Sequence, residues 1–589
     1  MPPNNKASNT ELPSPPPSQV DVIINGSGPV GLLCACLLSQ AKLSVRILDI
    51  EFEPNHWGRG DWIHGRTLEL LEKAGVEKEL LKTGVQVEKI NAFNNNKLIQ
   101  STPFVPEEVD SKYPFLLCCG QHITESSLQS YLSQFDVQVE RPCTITNIKE
   151  AEGEYPLVAT IHHLQGNSTE EIKCKYIFGC DGTHGSIREQ LNILYDGDTS
   201  EITGGVMDAL IRTNFPGKND VCLIQGDHCK TISLFPRENG LTRIFVHFNE
   251  NENQLRKEQH NRNNIQIEDI QREAKRALMP YRIEFLGTLY WSTYIVGQRL
   301  ASTYDGMNQR VFLLGDAAHC QSPTLGQGVN TGFGDVFNLV WKLTLVEKGV
   351  LKRDILKTYT YERRPVAKHV IHIDKVAAKT AASHESELYC QVVEQNRLFT
   401  SGFGIYYPRP LDNPNDNLLI WQENDSTNKF KLIGHRAPNA KVFKVTTGKK
   451  VRLFDGSSWL SFTVLVLVND LLLHYPEETI RHIVKVHQWY KTNKGLCDIN
   501  FTVVTAVMND DIKLKWSEQL KEESDILLEY LYIDKLNQAK CHRDFKFDNN
   551  SNSPLMFIIR PDDYIGTICS GDNMVQLAQQ YMKNICVDS

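Results

Sequence analysis

Arg310 to Leu343 reads RVFLLGDAAHCQSPTLGQGVNTGFGDVFNLVWKL, and this stretch decides the fold. The apolar run Val311 to Leu314 predicts a buried strand that delivers Gly315 and Asp316 to its carboxyl end, where the carboxylate can accept hydrogen bonds from ligand hydroxyls. After a turn at Pro323, Gly326 and Gly328 let backbone amides approach a flat ligand closely. Gln327, Val329 and Asn330 lie where a helix begins, and Phe333, Val336, Phe337, Val340 and Trp341 form its apolar stripe. A helix N-terminus aimed at a ligand stabilises negative charge on it. Alone, such a strand, loop and helix is a common crossover.

Two other stretches repeat the pattern. Val20 to Ile24 is a short strand leading into Gly26-Ser27-Gly28-Pro29-Val30-Gly31 and a helix through Leu38; Val45 to Leu48 then forms a second strand ending at Asp49. This is a βαβ unit with the dinucleotide fingerprint: its glycines allow a tight turn, close approach to a pyrophosphate and helix packing. Asp49 stands where a carboxylate accepts ribose hydroxyls, with Glu51 the weaker candidate on the same strand face. Tyr176 to Cys180 is a third strand, ending in Asp181-Gly182. A lone fingerprint does not separate NAD from FAD. Three glycine-bearing strand ends far apart in sequence fit an extended FAD threaded across a discontinuous domain.

Between the second and third pieces the pattern turns antiparallel. Lys230 to Phe235 and Leu241 to Phe248 flank Asn239-Gly240, a favoured hairpin turn. Ile244, Val246 and Phe248 share one face, read as core, while Arg243, Phe245 and His247 share the other, facing solvent or a cavity. Asn249 to Asn264 reads as a solvated loop or helix start. After Pro408, Pro410 and Pro414 a new unit begins near Asn413, with strands at Leu460 to Val468, Ile499 to Val507 and Leu555 to Ile559, an amphipathic stretch at Ile480 to Tyr490 and a loop at Asp548 to Ser553.

Composition narrows the function classes. With 589 residues the chain suggests about three domains. Its net charge of -8, without a long basic run, argues against nucleic acid and anionic membranes as partners. No apolar run reaches spanning length, and the proline-rich start, lacking an apolar signal region, reads as a disordered tail. The fifteen cysteines include no C-x-x-C pair; buried reduced thiols in a cytoplasmic protein are expected, with no metal site.

These residues resemble the single-component FAD-dependent aromatic hydroxylases, and within them the phenol 2-monooxygenase group. The family's motifs occur in order: GSGPVG with Asp49, Gly60-Asp61, Arg66-Thr67-Leu68-Glu69, Gly120-Gln121, Asp181-Gly182, Pro236-Arg237-Glu238-Asn239, Val296-Gly297-Gln298-Arg299, and Gly315 to Trp341. They span roughly residues 20 to 370. The unit opening near Gly434-His435-Arg436-Ala437-Pro438 is similar to that group's appended thioredoxin-like domain, here without C-x-x-C.

The resemblance implies a fold of mixed α/β and α+β class. A discontinuous Rossmann-like FAD-binding domain (20–83, 115–200 and 296–370) follows a tail (1–19) and carries an antiparallel substrate-binding sheet domain (84–114 and 201–295). Connecting helices (371–412) lead to the thioredoxin-like domain (413–589). It implies that NADPH or NADH reduces FAD, that a peroxyflavin forms from dioxygen, and that one oxygen passes to a phenolic or related small aromatic substrate. Asp61 is then the catalytic carboxylate and Arg237 the arginine beside flavin and substrate, with Arg66 at the pyrophosphate, Gln121 at the ribityl chain and Pro323 near the reacting flavin carbon. Phe245 stands where phenol hydroxylases carry a tyrosine, and Trp62 where a small residue is expected; both departures count against phenol itself. A flavin oxidase, a Baeyer-Villiger-type oxygenase and a non-catalytic flavin-binding interaction protein are the alternatives, and a homodimer is left open.

Overall fold

The computed structural model describes residues 18–226, 229–248, 265–382, 386–409, 417–421, 431–471, 477–494, 498–507, 525–535, 540–547 and 553–587. The expected loop at Asn249 to Asn264 lies outside these residues, as do the expected loop at Asp548 to Ser553 up to Asn552 and the expected tail through Pro17. Gln19, placed in that tail, already belongs to the first strand.

Four sheets organise the described residues. In the first, Gln19–Asn25 runs parallel to Val45–Leu48 on one side and to Ser168–Gly179 on the other, and Ser168–Gly179 is parallel to Val311–Leu313. Val22, Ile23 and Ile24 are wholly buried, as a strand covered on both faces requires. Pro29–Gln40 supplies part of that cover: its proline sits in the first turn, where a missing N–H costs nothing, and nearly every residue through Ser39 is buried. Ser168–Gly179 does double duty. Its first half pairs antiparallel with Leu157–His163, which pairs with Cys143–Glu150, a hairpin extension that the sequence reading did not anticipate.

The second sheet has eight strands. Tyr195–Thr213 and Ile283–Ala301 are continuous 19-residue strands that cross the boundaries expected after residues 200 and 295. The two strands pair with each other on both sides of these boundaries, and the register shifts between Thr199 and Thr203, where the chain passes from the first module into the second. One face packs on the helix Ile267–Leu278, where Ile270, Ala274 and Leu278 meet Ile244 and Val246. The opposite face carries Arg243 and Phe245, also buried. A small sheet of Trp62–Ile63, Leu116–Cys118 and Val85–Val87 closes the junction between the modules.

The C-terminal unit holds a seven-stranded mixed sheet. Phe462–Val468, Ile499–Val507 and Leu531–Lys535 are parallel, and Leu555–Ile559 and Ile565–Ser570 continue the sheet antiparallel. It docks on the first module through buried charge. Arg560 donates to both Glu362 oxygens and to both Asp562 oxygens, and Lys342 donates 2.8 Å bonds to Glu362 and Asn338. Arg66 and Lys73 both pair with Asp563, and Arg436 with Glu69.

Burial alone would raise the Glu362 carboxyl, but the Arg560 and Lys342 charges outweigh it and hold it far below the usual range. A carboxylate depressed by folding contributes stability that is complete above its unfolded value, near 4.5, and is lost as pH falls through its folded value. Glu362→Gln leaves Arg560 and Lys342 buried with too little negative charge, so it should destabilise by about 3–5 kcal/mol at neutral pH. Urea unfolding followed by tryptophan fluorescence reads the loss; an unchanged midpoint would show that the network does not hold the two units together.

Candidate active site

Strand register assembles the first half of the site. Asn25 pairs with Leu48 and with Gly179, and Gly179 with Leu313, so four strands end side by side at one carboxyl edge. Gly26 to Gly31, Asp49, Asp181-Gly182 and Gly315-Asp316 therefore leave the sheet together, where open α/β sheets bind ligands. Gly26 is required by packing: its φ is +108° and a Cβ would lie 2.2 Å from the Cys180 carbonyl oxygen. Gly31 lets the helix sit on the Gly26 carbonyl. Gly28 is different, since nothing lies within 4 Å of the Cβ it lacks. Asp49 accepts bonds from the Ser27 amide (2.8 Å) and hydroxyl (2.5 Å) and pairs with Arg141 at 3.4 Å. The 20-residue helix Gly328–Glu347 offers its first amides, among them those of Gly328, Val329 and Asn330, while its first internal bond runs from Thr331 to Gln327. Open space before Gly28, a carboxylate at the end of the second strand and free helix amides together fit FAD.

Several expected cofactor contacts are placed otherwise. Arg66 is a correction: its guanidinium is buried and its terminal nitrogens are spent on Glu69 and, in the C-terminal unit, on Asp563 and the Asp562 carbonyl. Burial raises the Asp316 and Glu125 carboxyls; His319 draws the first down and the Gln121 hydrogen bond the second, and the charge of the exposed Arg59 adds to both. The Asn330 side chain is fully used within the protein, donating to the Trp62 and Gly326 carbonyls and accepting from the His64 amide and Thr67 hydroxyl. Gln327 spends its side-chain nitrogen on the Thr400 carbonyl at 2.8 Å, and Asn330 has only its backbone left for a flavin. Gln121 accepts from the Gly60 amide and donates to Glu125, which fixes the loop before Asp61. Asp181 caps the helix Ser186–Gln190 through the Ile187 amide, leaving one carboxylate oxygen without a partner among the described residues. Val30 packs between Gly315 and Gly332, and Pro29 only begins its helix.

The second half of the site is a buried ion cluster built across both modules. Asp61 comes from the loop before Trp62–Ile63, Asp208 and Arg243 are cross-strand partners in the second sheet, and Arg237 and Glu238 form the hairpin turn. Arg243 clamps Asp208 with two 2.7 Å bonds, and Arg237 clamps Glu238 at 3.0 and 2.7 Å. Asp61 receives only the longer contacts, 3.3 Å from Arg243 and 3.5 Å from Arg237. Three carboxylates thus share two guanidiniums, and Asp61 is the one left least neutralised. Burial pushes its carboxyl above the ordinary value; Arg243 and Arg237 pull it back, and Asp208 and Glu238 push it up again. Burial also works against Glu238, but its Arg237 bonds outweigh that and hold it below the usual carboxylate range.

Aromatic rings line the remaining side. Phe245 packs edge-on to Phe235 (5.5 Å) and Tyr294 (6.1 Å), with the Arg243 guanidinium 5.9 Å from its ring centre. Trp62 packs on Phe235 and against Gly326, where a Cβ would strike the indole at 2.1 Å. Pro323 begins a short turn capped by Ser322, and Ser322 is pinned by Asp374 through bonds of 2.8 and 2.6 Å. Burial raises the Asp374 carboxyl to about 6. The sequence reading missed Asp208, Arg243, Glu238, Arg59 and Tyr294 as site residues. Two of these carried a signal: Arg243 by its place on the Phe245 strand face, and Glu238 by its place in the Pro236-Arg237-Glu238-Asn239 motif.

A family model described as an FAD binding domain matches residues 19–374. The chain belongs to that family. A phenol 2-monooxygenase of Aspergillus fumigatus is 28% identical over 585 residues, 95% of each chain. A 3-hydroxybenzoate 4-monooxygenase of Comamonas testosteroni is 28% identical, covering 74% of this chain and 72% of its own. Among solved structures, a ternary complex of aklavinone-11 hydroxylase with FAD and aklavinone shares the fold, with a TM-score of 0.69, 17% identity and coverage of 96% and 98%. This flavoprotein is a monooxygenase that uses FAD.

The glycine loop supplies a direct check on the cradle. Gly28→Ala meets no protein atom, so the variant should fold with an unchanged circular dichroism spectrum while losing about tenfold or more in FAD affinity, because the methyl group fills the space where the pyrophosphate approaches. Flavin titration of the stripped protein measures this. Wild-type affinity in the variant would place the pyrophosphate elsewhere.

Proposed function

We propose that this flavoprotein hydroxylates a phenolic or similarly activated small aromatic substrate, with NADPH or NADH as reductant and dioxygen as the oxygen source. One ring C–H becomes C–OH, the second oxygen atom leaves as water, and the nicotinamide supplies two electrons. Bound FAD supplies the electron transfer and the oxygen activation. The observation that carries the reading is the under-neutralised Asp61. Arg243 and Arg237 are each satisfied by another carboxylate, so Asp61 keeps affinity for a proton, as a base for a phenolic hydroxyl needs. Arg237 and Arg243 hold that carboxylate in place and limit how far its proton affinity rises. The aromatic wall of Phe235, Phe245 and Trp62 excludes water from the ring being oxidised.

The C-terminal unit is read as a thioredoxin-like scaffold without exchange chemistry. Three parallel strands continued by an antiparallel pair support the scaffold, and the lack of a C-x-x-C pair argues against exchange. No helix among the described residues is long and apolar enough to cross a membrane. A panel of phenols scored for stimulated NADPH oxidation and for hydroxylated product by mass spectrometry tests the activity.

Asp61→Asn keeps the shape of the side chain and removes its basicity. FAD binding and reduction by NADPH should persist while product formation falls about 10²- to 10⁴-fold and hydrogen peroxide accumulates in its place. Paired assays of NADPH, peroxide and product read this; near wild-type coupling would remove Asp61 from the proton-transfer role.

A further inference from the structure

Asp374, on the helix Thr358–Ala382, is a wholly buried carboxylate outside the ion cluster at Asp61. Both of its oxygens face donors. Oδ2 accepts from the Ser322 amide at 2.8 Å and from the Gln298 side chain at 2.7 Å, and Oδ1 accepts from the Ser322 hydroxyl at 2.6 Å. Ser322 in turn accepts from the Thr324 amide at 3.2 Å, which caps the turn Pro323–Leu325. That turn leads through Gly326 and Gln327 into the first amides of the helix Gly328–Glu347, the ones offered to FAD. A single carboxylate thus ties the flavin loop to the strand Ile283–Ala301, which carries Gln298, and to the helix whose Ile373 and Ala377 pack with Leu325.

Among the described residues no cation balances this charge. The charged side chains on the surrounding elements are engaged elsewhere: Lys375 with Asp198, Arg299 with the Thr199 hydroxyl, Arg364 with the Ala301 carbonyl, His319 with Asp335 and Arg397 with Glu394. The titratable groups that face Asp374 are the phenols of Tyr294, on the long strand, and Tyr389, on the helix Ser386–Thr400; burial first, and the Asp374 charge after it, keep both protonated. Three hydrogen bonds only partly replace the water that Asp374 has lost, so its carboxyl changes charge near pH 6. A proton cannot go to Oδ2 without displacing two N–H donors. It goes to Oδ1, where the Ser322 hydroxyl turns to Thr324 Oγ1, 2.8 Å away, and the Ser322–Asp374 bond reverses. The two Oδ2 bonds then change from charge-assisted to neutral, about half as strong. We infer that Asp374 is a positioning residue for the cofactor: ionised, it holds the Ser322–Gly328 loop in the shape that binds FAD, and protonated it lets that loop loosen, so that FAD affinity falls with pH. By reciprocity, FAD binding favours the ionised carboxylate and releases part of a proton in the same pH range.

The test is titration of the flavin-stripped full chain with FAD from pH 5 to 8, followed by flavin fluorescence, with circular dichroism at each pH to check that the protein stays folded. Wild-type affinity should fall about three- to tenfold between pH 7.5 and 5, as expected for weakening two hydrogen bonds, with its midpoint near 6. Asp374→Asn has the shape of the protonated acid, with its amide turned to the Ser322 hydroxyl. It should bind FAD at pH 7.5 about as weakly as wild type does at pH 5, and the transition near pH 6 should disappear. Ser322→Ala keeps the amide bond and removes the hydroxyl that favours the ionised form, so the midpoint should move up by about half a pH unit or more. A residue that only fills space would weaken binding by the same factor at every pH and would move no midpoint. The inference is overturned by a wild-type affinity that does not change with pH, by an Asp374→Asn variant that keeps the wild-type pH dependence, or by an unmoved midpoint in Ser322→Ala. Where Asp374→Asn takes up no FAD at any pH, the wild-type curve and the Ser322→Ala midpoint decide.

Discussion

Everything at this site depends on the parallel pairing that brings Asn25, Leu48, Gly179 and Leu313 to one edge. Parallel strands require crossovers, and these crossovers carry most of the second sheet: five of its strands lie between Gly179 and Val311, and Lys89–Asn94 and Lys97–Pro103 lie between Leu48 and Ser168. A one-residue slip in any of these pairings would turn a strand's side chains to the opposite face and carry its terminal glycine out of line. The wholly buried Val22, Ile23, Ile24 and Phe178 prevent that slip, since their positions are fixed by packing on both faces.

The buried ion cluster belongs to neither module alone. Asp61 lies on a loop of the first, while Asp208, Arg237, Glu238 and Arg243 come from the second. The strands Tyr195–Thr213 and Ile283–Ala301 run from one module into the other and pair with each other in both, so the guanidiniums stand on a sheet tied to the first module by two strands. The charge imbalance at Asp61 therefore follows from sheet register: Asp208 stands directly across from Arg243 and takes its strongest bonds.

The cradle was legible in the sequence because each of its parts is local. A strand, a glycine loop and a helix follow one another within a few residues, and the fingerprint loop, Asp49 and the Gly315–Asn330 run were found where the structure has them. The face of Leu241–Phe248 was legible too, from simple alternation. The ion cluster was not, because Asp208 meets Arg243 only through strand pairing and Glu238 competes for Arg237 only once both are desolvated. Arg66 misled for a related reason: an arginine at a helix start beside a glycine-rich turn looks like an anion site, and its true partner, Asp563, lies 497 residues away. The long strands crossing both module boundaries were hidden because sequence marks where strands can begin more clearly than where modules divide.

That distant partner has a consequence for how the chain is made. Arg66, Lys73 and Glu69 lie on the helix that follows Asp61, and their partners Asp563 and Arg436 belong to the C-terminal unit. At synthesis rates of about 5–20 residues per second, the 497 residues between Arg66 and Asp563 take about 25–100 s to emerge. Through that interval the glycine cradle can form on the ribosome, but the helix behind Asp61 carries charges awaiting a counterpart. The cofactor pocket can thus be assembled during translation, whereas the Asp61 loop takes its final support only after the segment around Asp563 has emerged.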